Sequence, residues 1–212
     1  MTAADTNAGK TWASIYLIRR LQAQGKNALA IKPIVSGYQK NDPSGDVQRL
    51  LAAQTMHDVD AINRYRFTQP AAPSIAAASE SKHIKMVTLL TWCETTLANI
   101  DHAIIEGVGG IMVPLNHDSL VLDWMQALAL THILLCVEWK LGCINHALLS
   151  VAALQSRGMT PDWVLLNQRQ PIHDSRHAAA MCQEICDRLP KKTRILQAGV
   201  NEASELDIIF PR

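Results

Sequence analysis

Short apolar runs alternate along this chain with longer segments in which apolar residues recur at helical spacing. The runs at residues 28–31, 102–105, 132–137 and 163–166 are predicted to be strands, and residues 64–67 an edge strand. The periodic segments predict helices at residues 11–24, 86–98, 120–130, 144–157 and 174–189, with further helices beginning at Asp46 and after Pro73. Residues 34–45 are rich in glycine and proline and are predicted to be a loop.

This alternation predicts an α/β fold, with a mostly parallel sheet and helices on both faces. No linker or repeat divides the chain, so we predict one domain over residues 1–212. In such a sheet, ligands bind outside the carboxyl ends of the strands. The polar residues expected at that edge are Lys10, Thr11, Lys32, Asp46, Glu106 and Asn167. In phosphoryl transfer, lysines neutralise the negative charge that spreads over the phosphate oxygens, and carboxylates hold the metal ion. This combination of residues therefore predicts phosphoryl transfer.

A phosphate-binding motif stands near the beginning of the chain. Residues 4–11 read Ala-Asp-Thr-Asn-Ala-Gly-Lys-Thr and lead directly into the first predicted helix. In a loop of this kind, backbone N–H groups surround an anion, the lysine reaches the outer phosphates, and the threonine hydroxyl binds Mg²⁺. Ala4 stands where such loops usually have glycine.

A phosphate loop normally follows a buried strand, whereas residues 1–3 leave no room for one. Each buried backbone group left unpaired by a missing strand would cost about 1–3 kcal/mol. We therefore predict that an apolar, β-branched or aromatic run of about 5–6 residues precedes Thr2. The alternative is that another segment, such as residues 204–210, fills the central position.

Composition and charge exclude several classes of function. The formal net charge of +1 gives no electrostatic basis for nucleic-acid binding. No apolar run reaches the roughly 18–20 residues of a membrane helix, and the chain does not begin with a signal-peptide pattern. The five cysteines are irregularly spaced, which favours free thiols in a reducing compartment. We therefore expect a cytoplasmic protein without nucleic-acid or membrane partners.

Four motifs together resemble those of the dethiobiotin synthetase family. They are Asp5-Thr6-x-x-Gly9-Lys10-Thr11, Lys32-Pro33-x-x-Ser36-Gly37, Glu106-Gly107-x-Gly109-Gly110 and Leu141-Gly142-Cys143-Ile144-Asn145-His146-Ala147. The resemblance implies a homodimeric, ATP- and Mg²⁺-dependent enzyme of biotin biosynthesis. Such an enzyme adds CO₂ to an amine of 7,8-diaminononanoate, activates the carbamate with the γ-phosphate of ATP, and closes a ureido ring.

The resemblance also implies roles for individual residues. The implied catalytic residues are Lys10, Lys32 and Thr6, and we expect loss of Lys32 to lower kcat by ~10² with little change in thermal stability. Ser36, Gly142 and Asn145 would bind the substrate, the last two from the neighbouring subunit. Thr11, Asp46 and Glu106 would hold Mg²⁺. The implied nucleotide-binding residues are Asn7, Ala8, Gly9, Lys10, Thr11, Trp12, Asp46, Glu106, Gly107, Val108, Gly109, Asn167 and Gln168, with Asn167 expected to contact adenine.

Two alternatives stay open from the sequence. A related phosphate-loop ATPase of the partitioning or cofactor-amidating type would share the Gly-Lys-Thr motif, but partitioning ATPases carry a signature lysine where this chain has Asp5. A dimeric relative could also have kept the fold and lost turnover. Nucleotide binding, and phosphate release with diaminononanoate and bicarbonate, would separate these possibilities.

Overall fold

The computed structural model describes residues 1–54, 58–168, 175–199 and 204–210. The strands are β1 (Thr2–Ala3), β2 (Ala28–Ile31), β3 (Ile34–Ser36), β4 (Tyr65–Phe67), β5 (His102–Ile105), β6 (Leu134–Glu138), β7 (Trp163–Asn167) and β8 (Arg194–Ala198). The helices are α1 (Lys10–Ala23), α2 (Asp46–Ala53), α3 (Pro73–Ser79), α4 (Met86–Leu97), α5 (Val121–Ala127), α6 (Cys143–Ser156) and α7 (Ser175–Cys186). Two 3₁₀ turns span Val59–Ala61 and Ser204–Ile208.

The strand ladders are parallel, as the alternating pattern predicts. One sheet has the order β1-β6-β7-β8, and β2 pairs with β5 and β3 with β4. Parallel strands need long crossover connections, and the helices between successive strands supply them. The carboxyl ends of β2, β5 and β7 are followed by Lys32, Glu106 and Gln168.

Three strands, β1, β3 and β8, were not predicted by the sequence pattern. Residues 34–36 were expected to be loop, but Ile34 and Val35 are buried and β3 pairs with β4 in the register Ile34 to Tyr65. The run is too short to show a period, so its pairing with β4 decides its conformation. Strand β8 alternates exposed and buried residues and pairs with β7.

A short strand does precede the phosphate loop, which corrects the expectation that residues 1–3 leave no room for one. Thr2 and Ala3 lie opposite Leu135 and Cys136 of β6. On the other side, the Met1 amine donates to the Ile105 carbonyl at 2.8 Å, and the Gly107 N–H donates to the Met1 carbonyl at 2.9 Å. Residues 1–3 thus connect β5 to β6. The alternative that residues 204–210 fill the central position is wrong, because Ser204–Ile208 forms a 3₁₀ turn.

The apolar face of helix α1 packs against neighbouring strands and helix α2 and holds the helix in place. Leu17, Ile18 and Leu21 are buried, and α1 packs against β2, β5 and α2. Burying three such side chains contributes several kcal/mol, which fixes the position of the first turn of α1. In the described part of the chain, no helix is long and apolar enough to span a membrane.

Candidate nucleotide and substrate site

The loop between β1 and α1 has the backbone of a phosphate-binding turn. Asn7 and Gly9 adopt positive φ angles of 59° and 95°, and Gly9 is the N-cap of α1. Asn167, at the end of β7, donates its Nδ2 hydrogen to the Ala8 carbonyl at 3.1 Å. Asn167, which the sequence predicted to contact adenine, therefore supports the phosphate loop. Its side chain also lies so close to Gly9 that only glycine fits at this position. A Cβ there would lie 2.8 Å from Asn167 Cγ.

Lys10 is the first residue of α1 and is buried. Its Nζ donates to the Gly109 carbonyl at 2.8 Å and to the Asp5 carbonyl at 3.4 Å. Burial lowers the pKa of Lys10 below its usual value, and the neighbouring positive charge of Lys32 lowers it further. The amine therefore lies where an anion would be needed to stabilise its charge.

Lys32, Glu106, Thr11 and Asp46 form one hydrogen-bonded group. Glu106 Oε1 accepts from Thr11 Oγ1 and from Lys32 Nζ, each at 2.6 Å. Lys32 Nζ also lies 3.0 Å from Asp46 Oδ2. Lys32 and Glu106 are 2% and 0% exposed, so this pair is shielded from water. The sequence expectation that these residues share one sheet edge is fulfilled by direct contacts.

The charges in this group support each other. Burial alone would lower the pKa of Lys32, but the carboxylates of Glu106 and Asp46 outweigh it, so the pKa is raised. Burial would likewise raise the pKa of Asp46, but the charge of Lys32 and the hydrogen bond from it outweigh burial, so that pKa is lowered. Lys32 and Asp46 are therefore both charged at neutral pH.

Oxygen atoms suited to a hard cation converge beside Lys32. Glu106 Oε2 is buried without a hydrogen-bond partner among the described residues, so its lone pairs are free. The Thr11 hydroxyl and the Asp46 carboxylate lie next to it, through their contacts with Glu106 Oε1 and Lys32. Carboxylate and hydroxyl oxygens fit Mg²⁺, which usually takes one or two carboxylates and completes its shell with water and phosphate. The described residues contain no cluster of three His, Cys, Asp or Glu side chains that could hold a metal.

Two cavities meet at this group. The first, here called the loop cavity, has a volume of about 290 Å³ and is lined by Asn7, Gly9, Lys10, Thr11, Trp12, Asp46, Arg49, Asn167, Gln168 and Gly199. The second, here called the lysine cavity, has a volume of about 550 Å³ and is lined by Thr6, Asn7, Lys10, Lys32, Val35, Ser36, Asp46, Pro70, Ala71, Ala72, Pro73, Val108, Gly109 and Val113. Asn7, Lys10 and Asp46 line both. Two ligands could therefore meet at these three residues.

Most residues singled out by the sequence line these cavities, and the exceptions are Ala8, Glu106, Gly107, Gly142 and Asn145. Ser36 lines the lysine cavity, and its buried hydroxyl has no partner among the described residues. Gly107 instead pairs by its backbone with Met1. Gly142 caps α6 with a φ of 93° and is exposed, as is Asn145, and neither lines the two cavities.

Sequence reasoning missed two lining residues of the loop cavity. Gly199 follows β8, which was not predicted as a strand. Arg49 lies on α2 one turn after Asp46, and in the sequence it looks like an ordinary surface arginine. The three-residue spacing from Asp46 was the one signal available, since positions i and i+3 lie on the same side of a helix.

A loop with Gly-Lys-Thr between a parallel strand and a helix, in an α/β fold, defines a phosphate-loop nucleotide-binding protein. A family model described as an AAA domain matches residues 1–198. The fold is similar to that of hydrogenase maturation factor HypB from Archaeoglobus fulgidus, with a TM-score of 0.54 and 13% identity, over 99% of this chain and 88% of that one. This likeness shows the fold alone.

Closer relatives identify the family. The chain is 38% identical over 165 residues to the ATP-dependent dethiobiotin synthetase BioD of Methylobacterium nodulans, covering 73% of each. It is 34% identical over 179 residues to that of Acidiphilium cryptum, covering 81% of this chain and 80% of the relative. It is 33% identical over 188 residues to BioD 1 of Escherichia coli O157:H7, covering 85% and 81%. The chain belongs to the dethiobiotin synthetase family.

Proposed function

We propose that this chain is an ATP-dependent dethiobiotin synthetase that carboxylates 7,8-diaminononanoate with CO₂ and closes the ureido ring, releasing ADP and phosphate. Family membership supports this proposal. The observation that carries it is that the loop cavity and the lysine cavity share Asn7, Lys10 and Asp46. A reaction that transfers phosphate from a nucleotide to a second substrate needs two such adjoining sites.

ATP occupies the loop cavity in this proposal. Its phosphates lie against the loop backbone and the first turn of α1, where the helix dipole favours negative charge. Lys10 then exchanges its two carbonyl partners for phosphate oxygens. The base lies toward Gln168 and Gly199, which also line the cavity. Asn167 still has its amide oxygen available while its Nδ2 supports the loop.

Thr11, Asp46 and Glu106 would hold Mg²⁺, and the free lone pairs of Glu106 Oε2 support this assignment. When bound, the ion neutralises charge on the outer phosphates of the nucleotide. Lys32 holds both carboxylates in place, because its amine contacts each of them.

The diamine and its carbamate occupy the lysine cavity. One amine attacks CO₂ to give a carbamate, and a carbamate oxygen then attacks the γ-phosphorus while the bond to the ADP oxygen breaks. The second amine attacks the carbonyl carbon of the mixed anhydride, and inorganic phosphate leaves. The buried charge of Lys32 lies where negative charge develops on the carbamate and phosphoryl oxygens. Thr6 and Ser36 supply hydroxyl groups at the same cavity.

A homodimer would complete the site. Three exposed apolar side chains, here called the α6 patch, are Leu141 at 98%, Leu149 at 61% and Met112 at 57%. Met112 and Leu149 line one cavity together with Thr6, so the patch adjoins the substrate side of the phosphate loop. Exposed apolar patches mark interfaces, and a second copy docked here would bring its Gly142 and Asn145 toward the first copy's substrate.

We assign the whole chain to one domain and to the cytoplasm.

Turnover with purified chain tests this proposal. ATP, Mg²⁺, bicarbonate and diaminononanoate should yield phosphate and dethiobiotin in equal amounts, identified by mass spectrometry. Omission of the diamine should abolish phosphate release. ATP binding without turnover would indicate the non-catalytic alternative, and phosphate release that ignores the diamine would indicate a different ATPase.

A further inference from the structure

Arg49 lies beside the phosphate-binding residues in the fold. Helix α2 begins with Asp46, whose carboxylate contacts Lys32 at 3.0 Å, and Arg49 follows three residues later. Residues at this spacing lie on the same side of a helix. Both line the loop cavity with Lys10 and Thr11, so α2 presents a cation as well as a carboxylate to it.

The Arg49 side chain is exposed, and no carboxylate pairs with it in the described part of the chain. Four other arginines contact carboxylates: Arg20 contacts Asp207, Arg66 contacts Asp60, Arg157 contacts Asp123 and Arg188 contacts Glu184. The Arg49 guanidinium, with its five N–H donors, therefore borders a cavity without an anionic partner among the described residues.

The charges already in the site leave a need for such a cation. Lys10 and Lys32 carry two positive charges, and Asp46 and Glu106 carry two negative ones, so the four together are neutral. The Lys32 amine contacts both carboxylates, whereas the Lys10 amine contacts two backbone carbonyls. Within this group of four, Lys10 is therefore the cation that is not paired with a carboxylate. A nucleotide triphosphate carries several negative charges, and an arginine stays protonated under all ordinary conditions.

We propose that Arg49 is a further nucleotide-binding residue, whose guanidinium binds phosphate oxygens in the loop cavity. The inference rests on the proposed function of that cavity as the nucleotide site. Arg49 lines the loop cavity but not the lysine cavity, where the carbamate would react, so it should bind the ground state and the transition state alike. Its loss should therefore raise the KM for ATP and leave kcat nearly unchanged.

The chain offers a matched control in Arg19. A groove of about 660 Å³ between α1 and α2 is lined by Trp12, Ile15, Tyr16, Arg19, Arg20, Pro43, Arg49 and Ala52. Arg19 and Arg49 are both exposed and share this groove, but Arg49 alone of the two also lines the loop cavity. Arg19→Gln removes the same charge from the same groove without removing a group from the phosphate site.

The test compares Arg49→Gln, Arg49→Lys and Arg19→Gln with the unaltered chain, by calorimetric titration with ATP and with inorganic tripolyphosphate. Arg49→Gln should weaken both ligands by about tenfold or more, as expected for loss of a charged hydrogen bond. Arg49→Lys should recover part of the loss, and Arg19→Gln should bind like the unaltered chain. The dependence of ATP affinity on salt should also become shallower in Arg49→Gln.

Unchanged affinity of Arg49→Gln would overturn the inference while leaving the proposed function intact. A loss for ATP but not for tripolyphosphate would overturn it too, since the contact would then not be to phosphate. An equal loss of affinity in Arg19→Gln would also overturn it, because the loss would then come from the general positive charge of the surface and not from a contact with phosphate. If the unaltered chain failed to bind ATP, both the inference and the proposed function would be wrong.

Discussion

The buried amine of Lys32 lies 2.6 Å from the buried Oε1 of Glu106. Two charges removed from water in this way depend on each other, because either one alone would be unsolvated. The pair joins the end of β2 to the end of β5, whose strands run side by side with Ile31 opposite Ile105. This contact makes Lys32 part of the folded core as well as part of the site, and it changes what we expect of its removal.

Lys32→Ala should reduce kcat by ~10² or more, because in the proposed mechanism it removes the charge that faces the developing phosphoryl and carbamate oxygens. It should also lower the free energy of unfolding by about 3–5 kcal/mol, because Glu106 is left as an unpaired buried charge. The sequence expectation of little change in stability is therefore replaced. Chemical denaturation and steady-state kinetics measure the two effects.

The double variant Lys32→Ala with Glu106→Gln separates the effect on kcat from the effect on the free energy of unfolding. It should regain much of the lost stability, since no buried charge is left alone, while kcat stays low. Wild-type stability in the single variant would contradict the buried pair, and near-normal turnover would contradict the role of Lys32.

ATP binding should depend on pH through Lys10. Burial and the charge of Lys32 lower the pKa of Lys10 from 10.5. In the unfolded chain, Lys10 keeps its proton up to a pKa of about 10.5, whereas in the folded chain it loses the proton at lower pH. Between these two pKa values the unfolded state binds more protons, so the contribution of Lys10 to the free energy of unfolding rises with pH. Bound phosphates favour the charged amine, so binding should take up a proton in that window and weaken as the pH rises. Calorimetry at several pH values below 10.5, in buffers of different ionisation heat, measures the uptake.

Lys10→Arg is the control for this pH dependence. An arginine remains protonated throughout the window, so its nucleotide binding should take up no proton there. The same proton uptake in this variant would assign the titration to another group.

Gly9→Ala should disrupt the phosphate loop. The added Cβ would lie 2.8 Å from Asn167 Cγ, at a φ of 95° that an alanine adopts only with strain. We expect a large loss of ATP affinity and a stability loss greater than the roughly 1–2 kcal/mol of the backbone strain alone. Gly158→Ala is the comparison, because Gly158 has a φ of 73° and nothing within 4 Å of its Cβ position. Equal effects of the two substitutions on stability and binding would show that the contact with Asn167 is unimportant.

The proposed dimer should depend on the α6 patch. Leu141→Glu and Leu149→Glu place charges where apolar surface would be buried, so they should shift the chain toward monomer in sedimentation equilibrium. Turnover should fall with dimer content, because the proposed dimer brings Asn145 of the second copy to the substrate. Val87→Glu is the control, since Val87 is 76% exposed on α4, outside the patch. Dimers that persist in both leucine variants would place the interface elsewhere.

The sequence by itself determined the class of the fold and the chemical inventory of the site. Apolar runs predicted β2, β5, β6 and β7, and helical spacing predicted the helices between them, because both signals come from residues close together in the chain. The Gly9-Lys10-Thr11 motif and the polar residues after β2, β5 and β7 indicated one ligand-binding edge, because parallel strands bring their carboxyl ends together. These signals are local, and each depends on residues that are neighbours in the chain.

The tertiary structure decided what those residues touch. The strands β1 and β3 have two and three residues, too few to carry a pattern, and they exist because their partner strands supply the hydrogen bonds. Asn167 supports the loop at Ala8 from a distance of 159 positions along the chain. Spacing alone puts Arg49 and Asp46 on one side of α2, but they share a cavity with Lys10 and Thr11 only because α2 packs against α1. Contacts of this kind arise from the packing of distant segments, and no spacing in the sequence encodes them.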